Sequence, residues 1–329
     1  MVQKEGSLGP PSTTPDHGLD TAPASILEID DADLFGSTRV SSPSGDAWRR
    51  FRRNWAAMVS LIVIVIVLIM ITFAAHMHST DPLFQNFNAL NQGPSANHWF
   101  GTDETGRDEY SRVLYGLRVP LIVGLVGTAI TVVAGTVLGV ISGYFGGFVD
   151  GVLSRFTDLM FAFPGFTLAL IVVSLFGQAL DGYFGGGGRV LLLTVVFALV
   201  SWPSLMRFVR SLALAMKESQ FVEAARTCGT SSWGIMFKHL VPNMWGMILV
   251  QASFIVIAVI STETILSIFG LGVSEPNPDI GQMLYDGIQR LEQNYWEVIA
   301  PSIGLTVSIL AFTFIADGLR DAVDPRGRN

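Results

Sequence analysis

Residues 55–75 have the sequence WAAMVSLIVIVIVLIMITFAA, an uninterrupted apolar run without a charged side chain. Crossing the hydrocarbon core of a bilayer takes about 20 residues of α-helix. A helix also satisfies its backbone hydrogen-bonding groups within itself, which a lipid environment requires. The run is therefore predicted to be a transmembrane helix.

The composition places the rest of the chain in the same class. Of the 329 residues, 50% are hydrophobic and only 14% are charged, and the mean hydropathy is +0.48. A soluble domain carries about 25% charged residues, so much of this surface is expected to face lipid. The first residues lack the pattern of a cleavable signal, so the first apolar run is expected to stay in the mature protein.

Six apolar runs in all have the composition of membrane spans. None contains lysine or arginine, and only the fifth contains an acidic residue, Glu263. Pro164 and Pro203 lie in the third and fourth runs and are predicted to kink those helices. The predicted fold is an all-α membrane protein of about six transmembrane helices, at residues 55–75, 119–142, 159–176, 190–206, 244–268 and 298–316.

The placement of basic residues predicts the orientation. Residues 1–46 are rich in Pro, Ser, Thr, Gly and Asp and are predicted to be a disordered tail. The run WRRFRR at 48–53 directly precedes the first span, where it marks a cytoplasmic flank rather than a nucleic-acid site. Beyond the tail, the inner segments hold thirteen lysines and arginines and the outer segments hold five. Both termini are therefore predicted to be cytoplasmic.

Sequence motifs for catalysis and cofactor binding are absent. No GxxxxGK[ST] phosphate loop, GxSxG or HExxH occurs, so neither ATP binding by that loop nor hydrolase chemistry is expected. Cys228 is the only cysteine. His76, His78 and His98 share the first outer loop but lack a carboxylate or thiolate partner at ligand spacing, so no metal site is predicted. The chain is predicted not to be an enzyme.

Three glycines in the second span leave two alternatives open. Gly135, Gly139 and Gly143 are four residues apart, so they share one helical face and permit close approach of another backbone. The face is predicted to be either a subunit interface or a packing surface inside one bundle.

Charged residues near the membrane are a second group of candidates. Glu263 is predicted either to line a translocation path or to make a structural hydrogen bond to a neighbouring helix, because a charge at this depth rarely faces lipid. Arg155 and Asp158 are three residues apart, a spacing that allows a structural ion pair on one helical face.

The connection between the fourth and fifth spans, residues 207–243, is predicted to form a helical knob. Residues 220–228 are predicted to be helical, and Gly229 occupies a natural position for a C-cap. A second helix is predicted to follow, capped by Ser231 and Ser232 and ending at Pro242.

The surface of this knob has the chemistry of a docking element. Ala224 and Ala225 would allow a partner to approach closely, while Glu223 and Arg226 supply orienting charges. An ordinary amphipathic surface loop is the alternative.

The same residues carry a resemblance to a family. EAA at 223–225, Gly229 and HLVPN at 239–243 closely resemble the EAA motif of membrane subunits in bacterial ABC importers. We call residues 220–243 the EAA segment. His239 and Val241 stand where the general motif has Ile and Leu, and His points to the peptide-transporter branch. Further stretches are similar to C-type permeases of dipeptide and oligopeptide importers: GTDE at 101–104, YGLR at 115–118, GYFGG at 143–147, FGLG at 269–272 and DGLRD at 317–321.

The resemblance implies the permease fold of a type I ABC importer in the plasma membrane of a prokaryote. It implies a homologous B-type permease, one or two ABC ATPase subunits that hold ATP and Mg²⁺, an external substrate-binding protein and membrane lipid as partners, with no nucleic acid and no cofactor in this chain. The residues implied to contact the ATPase are Glu223, Ala224, Ala225, Arg226, Gly229, Ser231, Ser232 and Pro242.

The predicted organisation has four parts: a tail at 1–46, a first span with its outer loop at 47–118, a core permease domain at 119–318 and a cytoplasmic tail at 319–329. The substrate stays open among dipeptides, longer peptides, nickel chelates and oligosaccharides. An ion-coupled secondary carrier that uses Glu263 is the alternative function.

Overall fold

The computed structural model describes residues 43–73, 81–184 and 186–323. Apart from an isolated bridge between Thr102 and Asp108, regular structure in these ranges is helical. The helices are α1 Pro43–Arg53, α2 Trp55–Thr72, α3 Glu109–Gly116, α4 Arg118–Phe145, α5 Gly147–Ala162, α6 Gly165–Phe184, α7 Gly186–Met216, α8 Gln220–Thr227, α9 Ser232–Gly234, a π-helical turn Ile235–Leu240, α10 Val241–Ile268, α11 Ile280–Gln289 and α12 Trp296–Val323.

Six helical stretches within the described residues are long and apolar enough to cross a membrane. The predicted all-α class with six spans is therefore confirmed. Five of the six stretches are longer than the predicted apolar runs, because these helices include flanking residues outside the runs; the first, Trp55–Thr72, is shorter than its run. Their bounds are Trp55–Thr72, Glu109–Phe145, Gly165–Phe184, Gly187–Met216, Ser232–Ile268 and Trp296–Val323.

Pro164 breaks the chain between two helices, and the predicted kink inside one helix is wrong. Helix α5 ends at Ala162 and α6 begins at Gly165, with Phe163 extended at φ −98° and ψ 127°. A residue before proline is pushed out of the α region, which explains the break. The third span therefore begins at Gly165 instead of residue 159. Pro203, in contrast, lies inside the continuous helix α7.

The glycine ladder of α4 packs against α7 within the same chain. A Cβ added at Gly139 would lie 2.7 Å from Cβ of Val209, and one at Gly143 would lie 2.6 Å from Cβ of Ala213. Real Cβ atoms do not approach so closely, so glycine is required at these two crossings. Of the two alternatives for the ladder, packing inside the bundle is the one observed.

Helices α1, α2 and α12 meet at the end of the bundle that carries the EAA segment. Phe51, Ala57 and Ala322 form a buried apolar cluster there. A Cβ added at Gly246, near the start of α10, would lie 2.8 Å from Val323 at the end of α12. Both ends of the described chain therefore lie beside the EAA segment.

Two predicted boundaries differ from the helices. Helix α1 begins at Pro43, inside the predicted tail 1–46, and α12 continues to Val323, inside the predicted tail 319–329. The predicted connection 207–243 is helical at its start, because α7 extends to Met216. Residues 1–42, 74–80 and 324–329 lie outside the described residues, and so do His76, His78 and the predicted tails beyond these helices.

The opposite end of the bundle is closed by a polar cap. The side chain of Asn294 donates a hydrogen bond to the backbone oxygen of Thr102 at 2.8 Å. Arg290 reaches Glu104 at 2.6 Å and Glu297 at 3.4 Å. These bonds join the loop before α3 to the connection between α11 and α12.

Candidate functional site

Helix α8 is a short amphipathic helix held against the bundle by one edge. Val222 is fully buried in the core cluster that also contains Ile235, Met236 and Leu240 of the π-helical turn. Ala225 packs partly buried against the same cluster. This apolar edge fixes the position of α8, so its other side is presented rigidly to the surroundings.

A Schellman motif closes α8 at Gly229. The backbone N–H of Thr230 donates to the oxygen of Ala225 at 3.0 Å, and that of Gly229 donates to the oxygen of Arg226 at 2.9 Å. Gly229 has φ +78°, a conformation that glycine adopts without strain. Cys228 is the C-cap residue and Gly229 follows it, so the predicted end of this helix at a glycine is confirmed, one residue beyond the C-cap.

Ser231 starts the next helix, as predicted. Its side chain accepts a hydrogen bond from the N–H of Gly234 at 3.2 Å, and Ser232 is the first helical residue. The sharp turn between α8 and α9 is thus fixed by the Schellman motif at Gly229 and by the N-cap Ser231.

Pro242 does not end the second helix, and that prediction is wrong. The helix continues from Ser232 through the π-helical turn Ile235–Leu240 and then through α10 to Ile268. A proline inside an α-helix loses one hydrogen bond and clashes with the carbonyl four residues earlier. A π-helical turn, whose hydrogen bonds differ from those of an α-helix, lies directly before Pro242.

Most of the predicted docking residues of the EAA segment are exposed. Glu223, Ala224, Arg226, Gly229, Ser231 and Pro242 are exposed, while Ala225 and Ser232 are half-buried. Glu223 lies in the first turn of α8 and Arg226 in the last, where each charge complements the helix dipole. The guanidinium of Arg226 also lies 5.5 Å from the ring centre of Tyr144, at the end of α4.

Three further residues of the EAA segment are exposed aromatic residues that the sequence-based prediction did not include. Trp233 and Phe237 stack in parallel, with ring centres 5.8 Å apart, and Phe221 lies on α8. Trp233 keeps 56% of its surface exposed. The i, i+4 spacing of Trp233 and Phe237 in a polar connection was the available signal. Exposed aromatic side chains are enriched at protein interfaces.

Glu263 is buried in α10, with 1% of its surface exposed. Neither of its carboxylate oxygens has a hydrogen-bond partner among the described residues. The predicted structural hydrogen bond is therefore not made, and a path-lining role remains a prediction.

The other predicted charge groups have different partners. Asp158 pairs with Arg207 of α7 and not with Arg155, so the predicted pair on α5 is wrong. His98 lies 2.9 Å from Asp108, which caps α3. Within the described ranges, no group of three potential ligands is placed to hold a metal ion.

These features define a polytopic membrane protein with a rigid, exposed helical segment at one end. Residues 135–329, more than half of the chain, match the family profile described as "Binding-protein-dependent transport system inner membrane component". Residues 42–94 match the profile of the N-terminal transmembrane domain of oligopeptide transport permease C.

Curated relatives match most of the chain. It is 38% identical to the oligopeptide transport system permease protein OppC of Haemophilus influenzae, over 86% of this chain and 88% of the relative. It is 36% identical to the dipeptide transport system permease protein DppC of Alkalihalophilus pseudofirmus, over 87% and 90%. The glutathione transport system permease protein GsiD of Shigella flexneri is 35% identical, over 89% and 94%.

The chain therefore belongs to the OppC family of C-type permeases, the inner-membrane components of binding-protein-dependent ABC importers. It is a multi-pass permease subunit and not itself an ATPase. Membership of this family implies ATPase and binding-protein partners, and it favours the importer over the ion-coupled carrier.

Proposed function

We propose that this chain forms half of the translocation path of an ATP-driven peptide importer, paired with a homologous B-type permease. One or two ABC ATPase subunits hold ATP and Mg²⁺ and seat the EAA segment in a groove. An external binding protein delivers the substrate. The relatives named above transport oligopeptides, dipeptides or glutathione, which supports a peptide-class substrate.

The observation that carries this proposal is the geometry of the EAA segment. Its inner edge is locked into the core by Val222, and its outer edge presents small and charged side chains beside exposed aromatics. A force applied to such a segment is passed to the helices on either side, because the segment cannot yield by itself.

We also propose that the EAA segment and both termini are cytoplasmic. The described ends of the chain lie beside the EAA segment, and four arginines lie at positions 49, 50, 52 and 53 of α1, as the positive-inside rule requires. Cys228 is exposed and is the only cysteine. When the chain is expressed without its ATPase, a membrane-impermeant maleimide should label Cys228 in inverted membrane vesicles and not in intact spheroplasts. Labelling in spheroplasts would show that the orientation is the opposite of the one proposed.

Co-purification of the ATPase tests the docking site, and the chain supplies a matched control. Gly229 and Gly270 both have φ +78°, both close a helix with a Schellman motif, and neither has an atom within 4 Å of an added Cβ. They differ in that Gly270 ends α10 at the opposite end of the bundle.

Gly229→Asp and Gly270→Asp therefore add the same charge and the same backbone strain at two different surfaces. The whole complex would be purified through a tag on this chain. Gly229→Asp should weaken retention of the ATPase at least about tenfold, equal to about 1.4 kcal/mol, while Gly270→Asp retains it. Equal retention by both variants would refute docking at the EAA segment.

A further inference from the structure

Helix α5 is held to the bundle in an unusual way. Thr157 is the only buried residue among its described side chains, so apolar burial contributes little to its position. Its two ends are joined to the neighbouring helices by conformationally distinct breaks. Gly146 and Gly147 have φ +64° and +52° at the start, and the extended Phe163 precedes Pro164 at the end. Both breaks can act as hinges.

The first tie between α5 and α7 is a bidentate ion pair. Asp150 accepts hydrogen bonds from Nε of Arg210 and from its Nη2, the latter at 2.6 Å. The hydroxyl of Ser142 on α4 donates to the same carboxylate at 2.5 Å. The hydrogen bonds from Arg210 lower the pKa of Asp150 to about 2, so the carboxylate is charged at any physiological pH. Bidentate arginine–carboxylate pairs fix direction as well as distance.

The second tie lies two helical turns further along α5. Asp158 pairs with Arg207, and the guanidinium of Arg207 lies 4.3 Å from the ring centre of Phe161. Its Nε also donates to the hydroxyl of Thr157 at 3.3 Å. The ring of Phe156 stacks on Trp202 of α7, with centres 5.7 Å apart. The two ion pairs thus hold α5 to α7 at two points along its length.

Both arginines lie in the last turns of α7, next to the EAA segment. Helix α7 ends at Met216 and α8 begins at Gln220, so only three residues separate the helix that holds α5 from the proposed ATPase contact. A displacement of α8 reaches α7 along a short covalent link. It reaches α5 only through side chains or through the breaks at its two ends.

We propose that Asp150, Asp158, Arg207 and Arg210 are positioning residues that make α5 move as one body with α7 when the EAA segment is displaced. This inference rests on the proposed function, because it assumes that an ATPase moves the segment. Without the two ion pairs, α5 turns about its hinges and its exposed face does not follow α7. That face carries Phe148, Val152 and Leu159.

The movement of α5 can be followed with a single thiol. Leu159→Cys on the exposed face of α5, where Leu159 is 61% exposed, would be combined with Cys228→Ser in the purified whole complex. The rate of labelling by a soluble maleimide would be compared between the nucleotide-free state and the vanadate-trapped state. We expect the two rates to differ at least about threefold, as two discrete conformations require.

Asp158→Asn should bring the ratio of the two rates towards one, since only the Asp150–Arg210 pair then remains, while Asp158→Glu, which keeps the charge, should restore most of the difference. Asp158 is exposed, so neither substitution should prevent folding, and ATP hydrolysis and co-purification of the ATPase should persist. Arg155→Gln is the matched control, since it removes a charge from the same helix and no ion pair of Arg155 is found among the described residues; it should leave the ratio unchanged. Asp150→Asn tests the more buried pair in the same way.

Three outcomes overturn the inference, and they differ in what else they overturn. If the parent complex labels equally in both states, the inference fails together with ATP-driven movement. If the labelling rate differs between the two states in the parent complex and differs equally in Asp158→Asn, only the inference fails. The inference would also be overturned if Asp158→Glu or Arg155→Gln lost the rate difference as fully as Asp158→Asn does, because the effect would then not depend on the ion pair.

Discussion

At the scale of single residues, the polar cap depends on the buried carboxylate of Asp103. The N–H groups of Thr105 and Arg107 and the hydroxyl of Thr105 each donate to one of its oxygens at 2.8 Å. Nε of Arg107 donates to the other oxygen at 2.6 Å. Burial raises the pKa of Asp103, but the hydrogen bonds from Arg107 and Thr105 lower it by more. The net pKa therefore lies below the ordinary value of 3.8. The stability that this carboxylate supplies is present above pH 4 and is lost as the pH falls through the lowered pKa.

Asp103→Asn should therefore destabilise the cap. The substitution removes the charge from four hydrogen bonds, so we expect a loss of about 2 kcal/mol at neutral pH, measured by thermal unfolding of the detergent-solubilised protein. Glu104→Gln, at a carboxylate that is 44% exposed, is the control and should cost less than about 1 kcal/mol. Equal stability of the parent and Asp103→Asn would contradict the role assigned to Asp103.

Residue partners were the least predictable part of the molecule. Arg155 is three residues from Asp158 and was predicted to pair with it, whereas Arg207, 49 residues away along the chain, is the observed partner. Sequence spacing shows which side chains are near each other on one helix. It carries no information about which helix packs alongside, and that packing places Arg207 beside Asp158.

At the scale of helices, the pairing of α4 with α7 organises the EAA end of the bundle. The backbone oxygen of Met206 and Cβ of Val209 would each lie 2.7 Å from a Cβ at Gly139. Backbone cannot give way as a flexible side chain can, so a larger residue here separates the two helices.

Gly139→Ala should lower the stability of the helix pair. Overpacking costs about 1–3 kcal/mol, and we expect a lower unfolding temperature and a smaller yield of assembled complex. Gly151→Ala on α5, where an added Cβ meets nothing within 4 Å, is the control. It should be neutral or stabilise by up to about 1 kcal/mol through helix propensity. Destabilisation of equal size in both variants would show that the close crossing does not matter.

The existence of the six spans could be predicted from the sequence, and their ends could not. Long apolar runs identify spans without any knowledge of packing, because lipid imposes one requirement on all of them. The ends depend on local backbone geometry. Pro164 and Pro242 carry the same local signal, yet the first breaks the chain and the second lies in a continuous helix behind a π turn. The caps at Gly229 and Ser231 were predicted because they use only neighbouring residues.

At the scale of the whole molecule, the two ends of the bundle have different constructions. The cap end is held by hydrogen bonds and ion pairs that cross between connections. The EAA end presents an exposed helical segment whose inner edge is buried in the main core. This asymmetry fits a subunit that is driven at one end and receives its substrate at the other.

Energy is proposed to enter the importer through the EAA segment, and ATP-driven uptake is the direct test of this entry point. The complete importer would be reconstituted in proteoliposomes with ATP on the ATPase side and a labelled peptide, bound to its binding protein, on the other. We expect the parent and Gly270→Asp to take up peptide at similar rates without an ion gradient. Gly229→Asp should lose at least about 90% of uptake, a factor equal to about 1.4 kcal/mol. Uptake by Gly229→Asp at the parent rate would show that energy does not enter through the EAA segment.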